Sequence, residues 1–470
     1  DENAKVDKAI VFGSRAKGNY KEGSDIDIAI KGQDLNFNDT LSLLSKYDDL
    51  NIPYKIDLLN YHSIKEPDLK DHINRVGIEM YSRWKEYQFS EFVLINPTVS
   101  LKGDEEYSFV EMKDLEDGNK ICSPSVKRKT SSGARFQEKD TLFARITPCL
   151  ENGKICQVRG LENGVGFGST EFLVFRGKEN ISNNDFVFYL SRWDEVRDFA
   201  ENNFEGTSGR QRVPKNCFEN LRLRLPPLKE QTAIASILSS LDDKIDLLHR
   251  QNKTLEQLAE TLFRQWFVEE AEENWEEKSL FDVIELVGGG TPKTSISEYW
   301  NGNINWLAGG DIASSHKNFV GSSEKLITEL GLQNSSAKLL PKFSTIISAR
   351  GTVGKYCLLS EPMTFSQSNY GIKPKYENCF FFTYLLIGYS IDELQAAAYG
   401  SVFDTITTDT FKEHSIKLPI AASIQEFERS IKPYFEKMLL NTTQIKTLQT
   451  LRDSLLPKLM SGEVRVIYKE

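Results

Sequence analysis

Residues 226–267, PPLKEQTAIASILSSLDDKIDLLHRQNKTLEQLAETLFRQWF, place Ile234, Leu238, Leu241, Ile245, Leu248, Leu255, Ala259, Leu262 and Trp266 at steps that alternate four and three. That is the heptad seam of a long helix packed on another helix. Asn252 alone interrupts it. A lone Asn in such a seam commonly sets register at some cost in stability, so the helix is expected to face one defined partner.

The partner is expected in the same chain. Residues 419–464 follow a strand-like segment that also ends Leu-Pro, and place Ile431, Phe435, Met438, Thr442 and Ile445 at the same alternation. Leu225-Pro226 and Gln231 match Leu418-Pro419 and Gln425, residues 206–226 align with 400–419, and Trp84 aligns with Trp275. The chain therefore reads as two copies of a globular module followed by a long helix. Strand-like runs such as 171–175 and 221–225 alternate with helical spacing over 185–203, and the second copy repeats this with 344–351 and 380–398, so each module is mixed α and β.

Several segments give this repeat a family resemblance: 96–115, 142–154 (LFARITPCLENGK), 206–214 (GTSGRQRVP), 225–231 (LPPLKEQ), 288–307 and 454–464 (SLLPKLMSGEV). In combination they resemble the specificity (S) subunit of Type I restriction-modification systems over about 84–470. The resemblance implies two target-recognition domains separated by two long antiparallel coiled-coil helices. It also implies double-stranded DNA as ligand, one half-site of a split target per domain, methyltransferase (M) subunits docked on the helices and restriction (R) subunits joined through them, in phage defence. S-adenosylmethionine and ATP would be used by those partner subunits, and the S-like part would be non-catalytic by itself.

The first 83 residues belong to neither copy. KAIVFGSRAKGNYKEGSDIDIAI (8–30) reads as a buried strand, a Gly-Ser turn into a helix, and a second strand carrying Asp25 and Asp27. Residues two apart in a strand share a face, so both carboxylates can serve one divalent ion; Asp57, in YKIDLL, lies in another strand. This pattern looks like the minimal nucleotidyltransferases of the polymerase-beta superfamily. The resemblance implies Gly13 and Ser14 on nucleotide phosphate, and Asp25, Asp27 and Asp57 as catalytic acids holding Mg2+, whose hard-ligand preference suits carboxylates. The same segment fits an ordinary strand-end acid pair, or a fold that is retained without activity.

The organisation expected is α+β: 1–83 a small α/β nucleotidyltransferase-like domain, 84–225 and 274–418 recognition domains, 226–273 and 419–470 long helices. A net charge of −10 over 470 residues argues superficially against DNA. Much of it sits on the first helix, however, where 226–273 carries ten acids against Lys229, Lys244, Arg250, Lys253 and Arg264. Binding needs only local positive potential. Candidate DNA contacts are Lys127, Arg128, Lys129, Arg135, Arg145, Lys154, Arg210, Gln211 and Arg212 in the first module and Lys293, Arg350 and Lys355 in the second. For each the plain alternative is a surface charge. The polar loop Thr207, Ser208, Gly209, Arg210, Gln211, Arg212 is the best DNA-facing candidate; its counterpart, 401–407, lacks arginine, so the modules should not read the same bases.

No apolar run approaches the roughly 20 residues of a membrane span. The six cysteines show no C-x-x-C pair, so free thiols and a cytoplasmic location are expected. The sequence opens on Asp rather than Met, so it is expected to lack its own N-terminus. GGGTPKT (288–294) fails as a phosphate loop, because Pro292 stands where the second Gly is required. The competing functional reading is an enzyme: a nucleotidyltransferase modifying protein or RNA, with the S-like region as its targeting module.

Overall fold

The structure, a computed structural model, describes residues 5–32, 35–48, 53–82, 84–103, 105–207, 209–399 and 404–466. It divides into two compact units, 1–243 with 449–470, and 244–448. No helix among the described residues is long and apolar enough to cross a membrane.

The first unit opens with a small α/β domain: β1 (Lys8–Phe12), α1 (Gly13–Ala16), β2 (Ile26–Lys31), α2 (Phe37–Asp48), β3 (Ile56–Asn60), α3 (Pro67–Val76) and β4 (Ile78–Ser82). Its sheet runs β3-β2-β1-β4. Ile10, Phe12, Ala29, Ile64 and Ile73 form its own core. Ion pairs fasten it to the rest of the unit: Glu79, which also takes Lys8 of β1 at 3.1 Å, pairs with Arg224, and Asp7 takes Arg465 at 3.0 Å. Arg465 also reaches Glu230 at 2.8 Å, and Glu230 accepts the Trp84 indole N–H.

The repeat read from sequence is a repeat of topology. In the first module a five-stranded sheet runs 93–95, 172–177, 141–144, 155–158, 121–122; in the second it runs 284–288, 369–374, 345–348, 356–359, 319–320. Three pairings in each are antiparallel and the last is parallel. Each module is closed by a short antiparallel ladder, 85–88 on 222–225 and 276–279 on 415–418. The second sheets differ. The first module adds four strands in the order 134–137, 165–168, 106–110, 126–129, and the second adds three, 325–327, 300–307, 364–365.

The helical spacing over 185–203 resolves into α4 (Asn184–Arg192) and α5 (Asp194–Asn202), broken at Trp193, whose extended backbone restarts the chain. The long helices are α6 (Leu228–Arg264) and, after α7 (Phe380–Tyr399), α8 (Ala421–Met460). In the first unit Ile234, Ala235 and Leu238 of α6 share a core with Leu459 and Met460 of α8. In the second, Ile245 and Leu248 meet Ile445, and Phe263 and Phe267 meet Phe427. Within each unit the contacts rise along one helix as they fall along the other.

Two positions depart from the expected seam. Asn252 is buried between two residues of α8: the fully buried Asn441 donates its amide to the Asn252 carbonyl oxygen at 2.9 Å, and the Asn252 amide donates to the hydroxyl of the half-buried Thr442 at 3.4 Å. Toward the end of α6 a π-turn (Gln265–Glu269) accompanies a shift of the fully buried positions to Phe263 and Phe267, leaving Leu262 and Trp266 partly covered.

Glu428 of α8 accepts the Phe381 and Phe382 N–H groups at 3.2 and 2.7 Å, capping the start of α7. Burial nevertheless pushes its carboxyl from 4.5 up to about 7, outweighing those two bonds. The folded form therefore holds a proton that the unfolded chain releases between those values, so this contribution is full below 4.5 and is lost as pH rises through about 7. Heating scans at pH of about 5 and about 8 should show the second unit's midpoint falling at the higher pH, and falling less in Glu428→Gln. An equal fall in both proteins would remove Glu428 from the account.

Candidate functional site

The acidic end of the small domain follows from strand register. β2 and β3 are parallel with Asp27 opposite Asp57, while β1 and β2 are antiparallel with Phe12 opposite Asp27. β2 starts at Ile26, so Asp25 stands just before it, still two residues from Asp27. Gly13 has φ +74 directly after Phe12, and a Cβ there would lie 2.1 Å from the Asp27 Oδ2. The Gly-Ser turn, with Ser14 next in the chain, is thus pressed against the central acid. Burial first, then the charges of Asp57 and Asp25, raise the Asp27 carboxyl above its ordinary range, with Lys55 pulling the other way.

Lys55, which sequence reading passed over, supplies the positive charge. Its ammonium lies 3.1 Å from Asp57 and 3.4 Å from Asp25. The hydrogen bond to Asp57 and the charge of Asp25 in turn hold the Lys55 ammonium above its ordinary range. The oxygen donors have the chemistry a divalent ion wants. As they stand they do not converge: among the described residues no group of three or more His, Cys, Asp or Glu is placed to hold a metal. The expected trio Asp25, Asp27 and Asp57 is therefore a set of neighbours with an ammonium between two of them.

The basic residues of the first module divide by what already holds them. On the strand 126–129, Lys127 pairs with Glu162 at 2.7 Å, and Arg128 pairs with Glu111 and lies over the Phe109 ring at 4.2 Å. Lys154 is half-buried and donates to the Met112 carbonyl at 2.9 Å, which is a structural use. Arg212 turns its guanidinium onto Glu171, with nitrogens 2.9 and 3.0 Å from the carboxylate, and its backbone exchanges hydrogen bonds with Glu205. The Gln211 backbone N–H donates to the Thr147 hydroxyl at 3.1 Å, and its carbonyl accepts the Thr147 backbone N–H at 3.0 Å. Arg145 is half-buried with its Nε lacking a hydrogen-bond partner.

Of the candidate DNA contacts in the first module, three cations are exposed without such a commitment: Lys129, Arg135 on the strand 134–137, and Arg210. Ser208 of the polar loop, and residues 401–403 of its counterpart, lie outside the described residues. In the second module Lys293 and Arg350 are exposed and Lys355 half-buried. Lys154 and Lys355 each directly precede the equivalent strands 155–158 and 356–359, so their correspondence is one of topology. The partners Glu111, Glu162 and Glu171 had no signal in the sequence, being remote in the chain from the bases they hold.

Gly13→Ala tests the turn. The positive φ and the approach to Asp27 both oppose a methyl group, so the substitution should destabilise the small domain by more than about 1 kcal/mol, read as a lowered midpoint in denaturant. Unchanged stability would mean that the turn tolerates a side chain and does not hold Asp27 in place.

Comparison with known proteins places these features. The family described as "Type I restriction modification DNA specificity domain" matches residues 81–257 and 272–450. The family described as "Polymerase beta, Nucleotidyltransferase" matches residues 1–86. The Type I restriction enzyme HindI specificity subunit of Haemophilus influenzae is 25% identical over 82% of this chain and 100% of its own length. The EcoEI specificity subunit of Escherichia coli is 30% identical over 55% of this chain and 46% of its own length. A solved Type I restriction-modification S subunit from M. genitalium aligns with a TM-score of 0.48 and 14% identity, over 80% of this chain and 96% of that one.

Proposed function

Because this chain belongs to the family of Type I restriction-modification DNA specificity subunits, which bind DNA and assemble with methyltransferase and restriction subunits, we propose that its modules each read one half of a split duplex target. The long helices α6 and α8 pair as an antiparallel coiled coil, space the two readers and seat the methyltransferase subunits. Methylation and cleavage come from those partners. The observation that supports this reading most is the pairing of a repeated five-stranded sheet with a second sheet that differs between modules. A shared scaffold with divergent attachments suits two readers of different bases.

Within that reading Arg210, Arg135 and Lys129 contact DNA from the first module, and Arg350 and Lys293 from the second. Arg212, held by Glu171, positions the loop that carries Arg210. The test is selection from random DNA by the chain assembled with methyltransferase subunits, expected to return a split motif. Arg210→Ala should cost about 1–3 kcal/mol and relax one half-site only. A uniform loss across unrelated sequences would make Arg210 a phosphate contact, and an undivided motif would defeat the two-reader reading.

A second reading concerns the small domain, favoured by the in-register Asp27 and Asp57 beside the Gly13 turn. A divalent metal, when bound, would neutralise triphosphate charge and lower the acceptor oxygen's pKa. Asp25, Asp27 and Asp57 are the residues whose chemistry suits it, and Gly13 and Ser14 present backbone to phosphate. On this reading the domain is a nucleotidyltransferase acting on protein or RNA, with the S-like region as its targeting module. Asp25→Ala with Asp27→Ala should abolish incorporation from labelled ATP while leaving DNA affinity within about 1 kcal/mol, as for distant sites. Incorporation that persisted in the double variant would place the activity elsewhere.

A further inference from the structure

A cleft of about 440 Å³ in the first unit belongs to neither candidate site. It is bounded by the turn at Asp117, the start of α5 and the last turns of α8. Three guanidinium groups form its inner wall: the side chains of Arg192, Arg197 and Arg452 are 13%, 26% and 6% exposed. The carboxylates of Asp117, Asp194 and Asp453 stand at the rim, Asp117 and Asp453 67% and 60% exposed.

The three cations are unequally satisfied. Arg452 is fully engaged, with Asp242 at 2.7 Å, Asp453 at 2.9 Å and the Gly118 carbonyl at 2.6 Å. Arg192 has a 3.3 Å bond to the Asn119 carbonyl, and its nearer carboxylate, Asp117, is 3.6 Å away. Arg197 reaches Glu201 only at 3.9 Å, and its Nε is buried with no hydrogen-bond partner. A guanidinium cannot shed its proton, and a buried donor left unmade is costly, so this wall is short of acceptors. Burial, then the charge of Arg452, depress the affinity of Arg192 for its proton, as expected of crowded cations.

The second unit contains a cleft of about 480 Å³ beside the equivalent helix, lined by Arg264, Lys317 and Lys355, and among its described residues no buried side-chain donor is left without an acceptor. Asp392-Glu393-Leu394-Gln395 of α7 repeats Asp194-Glu195-Val196-Arg197 of α5, with Leu394 and Val196 both buried. Gln395 stands in the place of Arg197 and donates to the Val353 carbonyl at 2.8 Å, while Lys317 pairs with Glu260 at 2.9 Å. The acceptor-poor wall is therefore a property of the first unit, and not a requirement of the repeated fold.

We propose that the Arg192–Arg197–Arg452 cleft is a binding site for a small phosphate-class oxyanion, such as pyrophosphate or the phosphoryl end of a nucleotide. A tetrahedral phosphoryl group offers acceptors to several guanidinium forks at once, where a carboxylate offers two oxygens. The volume exceeds what a single phosphate fills. The acidic rim disfavours a duplex backbone, which brings a line of negative charge rather than one group.

The experiment is calorimetric titration of the full chain with pyrophosphate in EDTA, which silences metal-dependent binding at the small domain. One saturable site is expected. Arg197→Gln, which installs the residue of the second cleft, should weaken it by at least about tenfold, the scale of one charge-assisted hydrogen bond. Lys215→Gln, which removes an exposed charge elsewhere in the unit, should leave it unchanged. Thermal midpoints within error of wild type would show both variants folded, and Arg197→Lys, retaining charge without the fork, should bind between the two. Absence of saturable binding at millimolar pyrophosphate overturns the proposal, as does an unchanged affinity in Arg197→Gln. Equal binding of glutamate would overturn the phosphate assignment, and displacement of pyrophosphate by duplex DNA would make the cleft part of a DNA surface.

Discussion

In the first unit the pieces meet on one buried carboxylate, that of Asp242. It accepts from the Arg452 guanidinium at 2.7 Å and from the Tyr189 hydroxyl at 2.5 Å, and Arg452 also bonds the Gly118 carbonyl. Those residues lie on α6, α8, α4 and a loop of the first module, so one ion pair joins four segments remote in sequence. The pair is buried on both sides, 6% and 5% exposed. Removing one partner leaves the other charge uncompensated in a low-dielectric place, which costs far more than the pair contributes over a well-packed apolar alternative. Its bonds hold α6, α8, α4 and the loop at Gly118 together within the unit. The second unit meets the same need differently, with Tyr384 on Glu256 of α6 and Glu428 capping α7.

The doubling of the five-stranded sheet separates what the fold must conserve from what it is free to vary. The strands 141–144, 155–158, 345–348 and 356–359 are buried throughout, so their residue types are dictated by packing. The additional sheets carry exposed polar groups, and there the two modules differ in strand number and in basic residues. Exposed side chains on such surfaces can differ without touching the cores beneath them.

The small domain combines its own apolar core with ion-paired attachment. Its core residues touch none of the module cores, yet Asp7 and Glu79 are tied to Arg465 and Arg224. Arg465 also pairs with Glu230, beside the indole of Trp84 where the first repeat begins. The Lys55 ammonium between Asp25 and Asp57 neutralises a cluster whose mutual repulsion would otherwise go unanswered.

Much of this architecture is legible in the chain itself, because it rests on local periodicity. The four-three spacing determined α6 and α8, the paired Leu-Pro segments determined the repeat, and Gly13-Ser14 with Asp25, Asp27 and Asp57 determined a strand-turn-helix-strand unit with acids at its end. Asn252 announced a polar contact in the seam, and Thr442 of the second seam does accept from it, but Asn441 as a further partner came only from the fold, since Asn441 and Thr442 are adjacent and one step of helix rotation decides which is the more deeply buried. The same rotation placed Asp242 inside beside Leu241, where apolar spacing alone favours the leucine. Pairing of charges was decided by tertiary structure throughout. Arg212 and Arg210 are near-identical in sequence context, yet one faces Glu171 and the other faces outward. Lys55, Lys154 and Arg197 likewise differ in what surrounds them rather than in what they are, because a charge acts over a few ångströms of space and the sequence records distance only along the chain.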